Sequence, residues 1–388
     1  MIELSELENV EAEKRKFIVK EISGQAALWQ EVYAAIVDKE KEITDFLNIL
    51  WKIKDLQIIL TGAGSSAFIG EILAQTFYTN TGKLTKAIPT TDLVTHPAGY
   101  FDRKTPTLLI SFARSGNSPE SIATFELAEK FQDTVYHLII TCNREGDLVK
   151  KAKSFTNAYI FILPEKANDQ ALAMTGSFTS MTLVGLLISD IKNIRKNEQV
   201  ILRLSKFCET IFKNFNPAFR KLADRDFKRV VFLGSGALKG AAKEAHLKIL
   251  EMTDGQIICQ YDSFLGFRHG PRAVIDASTL LVYFFSNDPY VFKYELDLVK
   301  SIKETEDFMF TIGIGQGLHE LKDAGLDLMI DLNDDFDKIP DDFFSVCCVI
   351  PAQVIGLYKS IALGLVPDSP SQNGGIHRTV QGVIIYPY

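Results

Sequence analysis

The chain has 388 residues, of which 46% are hydrophobic and 23% charged, with a net charge of −7. That length exceeds what one core ordinarily supports and predicts two domains. The acidic balance argues against a general nucleic-acid binder, while leaving room for a small anionic ligand held by local donors.

Residues 1–50 read as an amphipathic helical segment that closes on TDFLNILWKI. The N-terminal MIELSELENVEAEKRKF is acidic and mixed, and does not read as a signal peptide. Strands are expected at 56–61 (LQIILT), 107–112 (TLLISF), 135–141 (VYHLIIT) and 158–163 (AYIFIL). Helical stretches separate them, which is the βαβ pattern of a parallel sheet. The runs are continuously apolar and β-branched, as strands buried on both faces are.

A polar helical connector over 198–227 follows, and then the pattern recurs. RVVFLGSGALKGAAKEA (229–245) answers QIILTGAGSSAFIGEILA (57–74), and STLLVYFFSNDPYV (278–291) answers PTLLISFARSGNSP (106–119). DFMFTIGIGQGL (307–318) and LDLMIDL (326–332) answer the third and fourth strands of the first half. A period this long indicates two related domains and not a solenoid. The expected architecture is therefore α/β, with two doubly wound parallel sheets flanked by helices. The first domain spans 51–197 and the second 228–388, and a Pro-, Gly- and Asn-rich tail at 367–388 lies over the site. No apolar run is read as long enough to span a membrane. Five scattered cysteines, Cys347 and Cys348 adjacent, fit a reducing cytoplasm.

Two loops of the first domain leave the carboxyl ends of parallel strands, where open α/β sheets place ligands. One carries Gly62, Ala63, Gly64, Ser65 and Ser66; the other carries Arg114, Ser115, Gly116, Asn117 and Ser118. Each is expected to open a helix, whose N-terminal N–H groups and dipole favour an anion. Glycines let the backbone approach closely, and serine hydroxyls add donors. Together the loops predict a site for the phosphoryl group of a small metabolite. A third polar stretch, residues 173–180 with Thr175, is expected on the same rim. In the second copy SNDPY replaces RSGNS. Asp288 there would repel a phosphate, so only the first domain is expected to bind it.

The second domain carries an acid–base set. A helix from about Leu238 to Met252 places Lys248 three residues before Glu251, on one face. A strand-like QIICQYD follows, then His269 at a turn within FRHGPRAVID. Glutamate, lysine and histidine suit proton transfer at a sugar. Residue types alone favour a solvated ion pair and a capping or surface histidine. The histidines lack metal-ligand spacing, so neither a metal nor another cofactor is expected.

GAGSSAFIG, ARSGNSPES and FRHGPRAVID resemble the sugar isomerase (SIS) domains of phosphosugar isomerases. The two-copy layout is similar to the isomerase half of glucosamine-6-phosphate synthase. ALAMTGSFTSM and HRTVQGVIIYPY are similar to the tagatose-6-phosphate ketose/aldose isomerases of amino-sugar utilisation. The resemblance implies phosphate binding by Ser66, Ser115 and Ser118, and a sugar contact from Thr175. It implies an enolising role for Glu251 beside Lys248, and ring opening by a His269 donated across a homodimer interface. Arg114 stands where the synthase has glutamine, Ala113 where it has serine, and His377 and Arg378 where its tail has lysine. The interval from Glu251 to His269 is two residues longer.

The implied reaction converts galactosamine 6-phosphate to tagatose 6-phosphate with release of ammonia, in the cytoplasm, without nucleic acid or membrane partners. No glutaminase domain is read, which favours a degradative direction. Alternatives are an isomerase without deamination and a non-catalytic phosphosugar-binding regulator. GAGSSA also fits a lone dinucleotide fingerprint, which would leave RSGNS unexplained.

Overall fold

The computed structural model describes residues 15–388, so the first part of the expected helical segment lies outside the described residues. In chain order the elements begin with helices α1 (Ile18–Ser23), α2 (Gln25–Asp38) and α3 (Glu40–Trp51). A first α/β run follows: β1 (Gln57–Thr61), α4 (Ser65–Thr81), β2 (Thr85–Ala87), α5 (Thr90–Thr95), α6 (Pro97–Tyr100), β3 (Thr107–Ala113), α7 (Pro119–Phe131), β4 (Val135–Thr141), α8 (Asp147–Ala152), β5 (Ala158–Ile162) and α9 (Gly176–Ser189). The expected connector is the helix α10 (Glu198–Ala223). The second run is β6 (Arg229–Leu233), α11 (Ala237–Met252), β7 (Ile258–Asp262), α12 (Phe264–Phe267), β8 (Thr279–Phe284), α13 (Pro289–Thr305), β9 (Phe310–Gly315), β10 (Leu328–Asp331), α14 (Asp341–Cys348) and α15 (Ile350–Ala362).

Two five-stranded sheets result, ordered β2-β1-β3-β4-β5 and β10-β9-β8-β6-β7. Every pairing is parallel. All seven residues of β3 and all six of β8 are buried, which is why these central strands read as unbroken apolar runs. In both sheets the chain leaves one strand, adds a neighbour on one side, and returns to the other side. That reversal lies between β1 and β3 in the first sheet and between β6 and β8 in the second. The register places Thr61 opposite Ser111, and Leu233 opposite Tyr283. In each sheet the two loops at the reversal therefore leave side by side, the position where such sheets bind ligands. The short edge strand β2 was not among the expected strands. Its three residues, Thr85, Lys86 and Ala87, are only partly covered and carry no apolar run to reveal them.

Two compact units make up the chain. Among the described residues, one comprises 27–170, 174–202 and 376–388; the other comprises 15–26, 171–173 and 203–375. The N-terminal helices and the C-terminal tail are thus shared out between them. In the unit of the second sheet, α1 packs on α15, and the Asp368 carboxylate accepts from Ile18 N at 2.8 Å at the start of α1. In the unit of the first sheet, α9 is buried over its whole length and packs on α4. A Cβ at Gly185 would meet Leu73 Cδ1 at 2.2 Å, so the glycine sets how closely these helices approach. Trp29 of α2 is fully buried and donates from Nε1 to Thr179 Oγ1 at 3.0 Å.

One expectation needs correction. The stretch Asp341–Ala362 has the length and composition to cross a membrane, although no such run was expected. Its most apolar window is 94% buried within the protein. There α14 and α15 pack against α11 as the apolar backing of the second sheet.

Candidate active site

Two turns shape the rim of the first sheet. Gly62 follows β1, and a Cβ there would lie 2.6 Å from the Ser66 backbone carbonyl carbon, so only glycine fits beneath the first turn of α4. Gly64 has φ +56°, a left-handed conformation that suits glycine. Thr90 N donates to Gly62 O at 2.8 Å and pins the loop from the side. The second turn pivots on Gly116 at φ +65°. Asn143 Nδ2 donates to Ser115 O at 2.8 Å, and Leu148 N donates to Gly116 O at 2.9 Å. Neither α4 nor α7 begins with a side-chain cap. Both helices therefore direct the positive ends of their dipoles toward the same rim.

The turns enclose a cavity of about 90 Å³ lined by Ser66, Arg114, Ser115, Gly116 and Ser118, and also by Ser121, Met174, Arg378 and Thr379. Its hydroxyls are lightly engaged. Ser66 Oγ donates to Met174 Sδ at 3.9 Å, a weak acceptor, and Ser118 Oγ lies 2.6 Å from Ser121 Oγ. A tetrahedral oxyanion could replace both partners with stronger, charge-assisted bonds. Arg114 is buried, and its guanidinium donates to the backbone carbonyl of Arg378. The Arg378 guanidinium donates in turn to Asp169 O and Asn168 Oδ1, both at 2.7 Å.

Other expected residues sit elsewhere. Gly64, Ser65 and Asn117 shape the turns without lining the cavity; Asn117 Oδ1 accepts from Asp147 N at 2.9 Å at the start of α8. His377 is exposed. Thr175 is fully buried at the start of α9, where Asp169 already supplies an anion. The Asp169 carboxylate accepts from Thr175 N at 2.8 Å, Ser177 N at 2.9 Å and Ser177 Oγ at 2.6 Å. Sequence reasoning missed Ser121 and Asp169. Ser121 was findable, three residues after Ser118 on the same helical face; Asp169 carried no periodic signal.

The second sheet repeats the turn and fills it. Gly236 has φ +55° and ψ −126°, against +56° and −130° at Gly64. The Glu295 carboxylate accepts from Ser235 Oγ at 2.7 Å and from Ser286 N at 2.8 Å. The Asp341 carboxylate accepts from Asn287 N at 2.7 Å and from the Ser286 hydroxyl. Asp288, the expected repeller, caps α13 by accepting from Tyr290 N at 2.7 Å. A buried Glu295 and a half-buried Asp341 thus stand where the first sheet leaves a cavity. Burial pushes the Glu295 carboxyl up to about 7, against the bonds from Ser235 and Ser286, and burial likewise raises Asp341.

On α11 the acid–base set has three members. Lys248 is fully buried; its Nζ donates to Glu251 Oε2 at 2.6 Å and lies 3.2 Å from Glu244 Oε1. The i, i+4, i+7 spacing puts all three on one helix face, so Glu244 was legible in the sequence and was overlooked. Burial alone lowers the Lys248 ammonium, but the Coulomb fields of Glu244 and Glu251 outweigh it and raise it. Lys248 stays charged, and it offsets the unfavourable placing of a carboxylate in the last turn of a helix. Of the three, only Glu251 reaches solvent, with its side chain 23% exposed. His269 stands exposed in a turn just beyond α12. That turn is held by Arg272, which donates to Glu306 Oε1 at 2.9 Å and Ser301 Oγ at 3.0 Å.

The SIS-domain profile matches residues 49–189. D-galactosamine-6-phosphate deaminase AgaS of Escherichia coli is 40% identical over 370 residues, covering 95% of each chain. The chain belongs to the SIS family. The crystal structure of tagatose-6-phosphate ketose/aldose isomerase from Escherichia coli superposes with a TM-score of 0.89 at 38% identity, covering 98% of each chain. The C-terminal domain of glucosamine-fructose-6-phosphate aminotransferase from Francisella tularensis shares the fold, with a TM-score of 0.70 at 17% identity over 89% of this chain and 96% of that one. The two sheets are two SIS domains, and the matched span holds both turns of the first rim.

Two outcomes test these environments. The Glu295 proton is bound more tightly in the folded than in the unfolded chain. Stability is therefore fullest below the ordinary carboxylate range and falls as pH rises toward about 7, by about 3 kcal/mol. Glu295→Gln removes that fall, so the difference between urea midpoints at pH 5 and pH 8 shrinks relative to wild type. Gly62→Ala forces the Ser66 backbone away and lowers the urea unfolding free energy by about 2 kcal/mol.

Proposed function

We propose that this SIS-family enzyme converts D-galactosamine 6-phosphate to D-tagatose 6-phosphate and ammonia in amino-sugar catabolism. The observation that carries the reading is the cavity of the first rim, where two helix starts and four serines converge beside a buried arginine. The 40% identity to the Escherichia coli deaminase selects the substrate.

Ser66, Ser115 and Ser118 hold the phosphoryl group with the backbone N–H groups of their turns, and Arg114 adds charge. Anchoring at C6 fixes where C1 and C2 lie and makes proton transfer effectively unimolecular. His269, donated from the other subunit of a homodimer, moves the proton that opens the ring. Glu251, which accepts from Lys248 Nζ at 2.6 Å, removes the proton from C2. The C1=O double bond becomes C1–OH as O1 takes a proton from water, while C1=C2 forms, giving an enolamine. Return of the Glu251 proton to C1 and loss of an N–H proton to water leave a C2 imine; water adds to it, C–N breaks, and ammonia leaves as the C2 ketone forms. Glu244 shares the Lys248 charge and keeps that ammonium in place. The five cysteines are all free thiols, which supports a cytoplasmic setting.

A second reading, aldose–ketose isomerisation without deamination, is favoured by the likeness to tagatose-6-phosphate ketose/aldose isomerase from Escherichia coli. Incubation with galactosamine 6-phosphate, glucosamine 6-phosphate and tagatose 6-phosphate separates the two, scoring ammonia and ketose independently. Ammonia from galactosamine 6-phosphate in step with ketose is expected. Interconversion of tagatose 6-phosphate with an aldose, and no ammonia from either amino sugar, selects the isomerase. Glu251→Gln is expected to lower kcat by about 10³-fold with phosphosugar affinity within about threefold. Retention of most turnover would show that another group is the base.

A further inference from the structure

The tail residues 376–388 belong to the same compact unit as the first sheet, and Thr379 and Val380 line the cavity that the serine turns form. What fastens this segment is a chain of bonds that begins at the Asn168–Asp169 elbow. Arg378 Nε donates to Asp169 O and its Nη2 to Asn168 Oδ1, each at 2.7 Å. The Arg378 carbonyl accepts from the Arg114 guanidinium. The same elbow holds the start of α9 through the Asp169 carboxylate, including Ser177 Oγ at 2.6 Å. Both oxygens that receive the Arg378 guanidinium are neutral acceptors, one a backbone carbonyl and one a side-chain amide.

We propose that Asn168 and Asp169 are positioning residues that staple the C-terminal segment across the phosphate cavity by its Arg378 guanidinium. This rests on the phosphosugar reading above. The staple works through Arg378 and Arg114 and touches no reacting atom. Asp169 fixes the elbow by satisfying the first turn of α9, and Asn168 supplies the side-chain acceptor for the tail. With the strap fastened, Thr379 and Val380 wall the cavity, and the Arg378 carbonyl orients Arg114. Loosening the strap weakens retention of the phosphoryl group more than it slows proton transfer at the far end of the sugar. The expected signature is a raised KM with little change in kcat.

The test uses the full chain and two variants at one half-buried position. Asn168→Ala removes the acceptor, and Asn168→Asp restores one. Trypsin cleavage after Arg378 is followed by mass spectrometry as release of residues 379–388. Asn168→Ala is expected to speed that release about tenfold and to raise KM for galactosamine 6-phosphate about tenfold, the scale of losing a hydrogen bond to a charged group. Its kcat should stay within about threefold, and Asn168→Asp should restore both readouts. Wild-type release rates in Asn168→Ala overturn the staple. Faster release in Asn168→Ala, without any slowing of wild-type release by saturating galactosamine 6-phosphate, leaves the strap's attachment intact and overturns the phosphate reading beneath it.

Discussion

A backbone turn that aims donors at one point favours an anion, and this chain satisfies such turns in different ways. At the start of α9 the answer is Asp169, which takes two N–H groups and a hydroxyl. At the rim of the second sheet it is Glu295 and Asp341. At the rim of the first sheet Ser66 meets a thioether, Ser118 another serine and Ser115 the Asn117 N–H, and the N-cap residues of α4 and α7 make no side-chain cap bond. Covalent carboxylates fill two of these places, and the third is shaped for an anion that comes and goes.

The duplication makes this comparison unusually controlled. The leading glycines have nearly the same backbone angles in both copies, and both sheets reverse direction at the corresponding strand pair. The difference lies in side chains delivered to the turn from α13 and α14. Burying Glu295 costs enough to lift its carboxyl to about 7, so the filled rim is held at some expense in stability above neutral pH. A turn geometry that persists even where a buried acid must fill it fits a structural role in the second domain and a ligand role in the first.

The sheets were legible because buried parallel strands such as 107–113 are unbroken apolar runs with a fixed period, and because the repeat displayed the same strands twice. The serines were legible because small donors between glycines at a strand exit have few other uses. The anions that fill the other turns were not legible. Asp169, Glu295 and Asp341 reach their turns from 6, 60 and 54 residues away, through Thr175, Ser235 and Asn287, and no local spacing marks such partners. The same holds for Arg378, whose hydrogen-bond partner Asn168 lies 210 positions earlier. Glu244 was different: its helical spacing from Lys248 was in plain view, and only the pair with Glu251 was noticed.

The most direct measurement is isothermal titration of the full-length chain with inorganic phosphate, in wild type and in a Ser66→Ala, Ser115→Ala double variant. One phosphate per chain is expected in wild type, with affinity reduced at least about tenfold in the double variant through loss of hydroxyl bonds to a charged ligand. Two phosphates per chain, or undiminished affinity without the serine hydroxyls, would contradict the assignment of a single cradle at the rim of the first sheet.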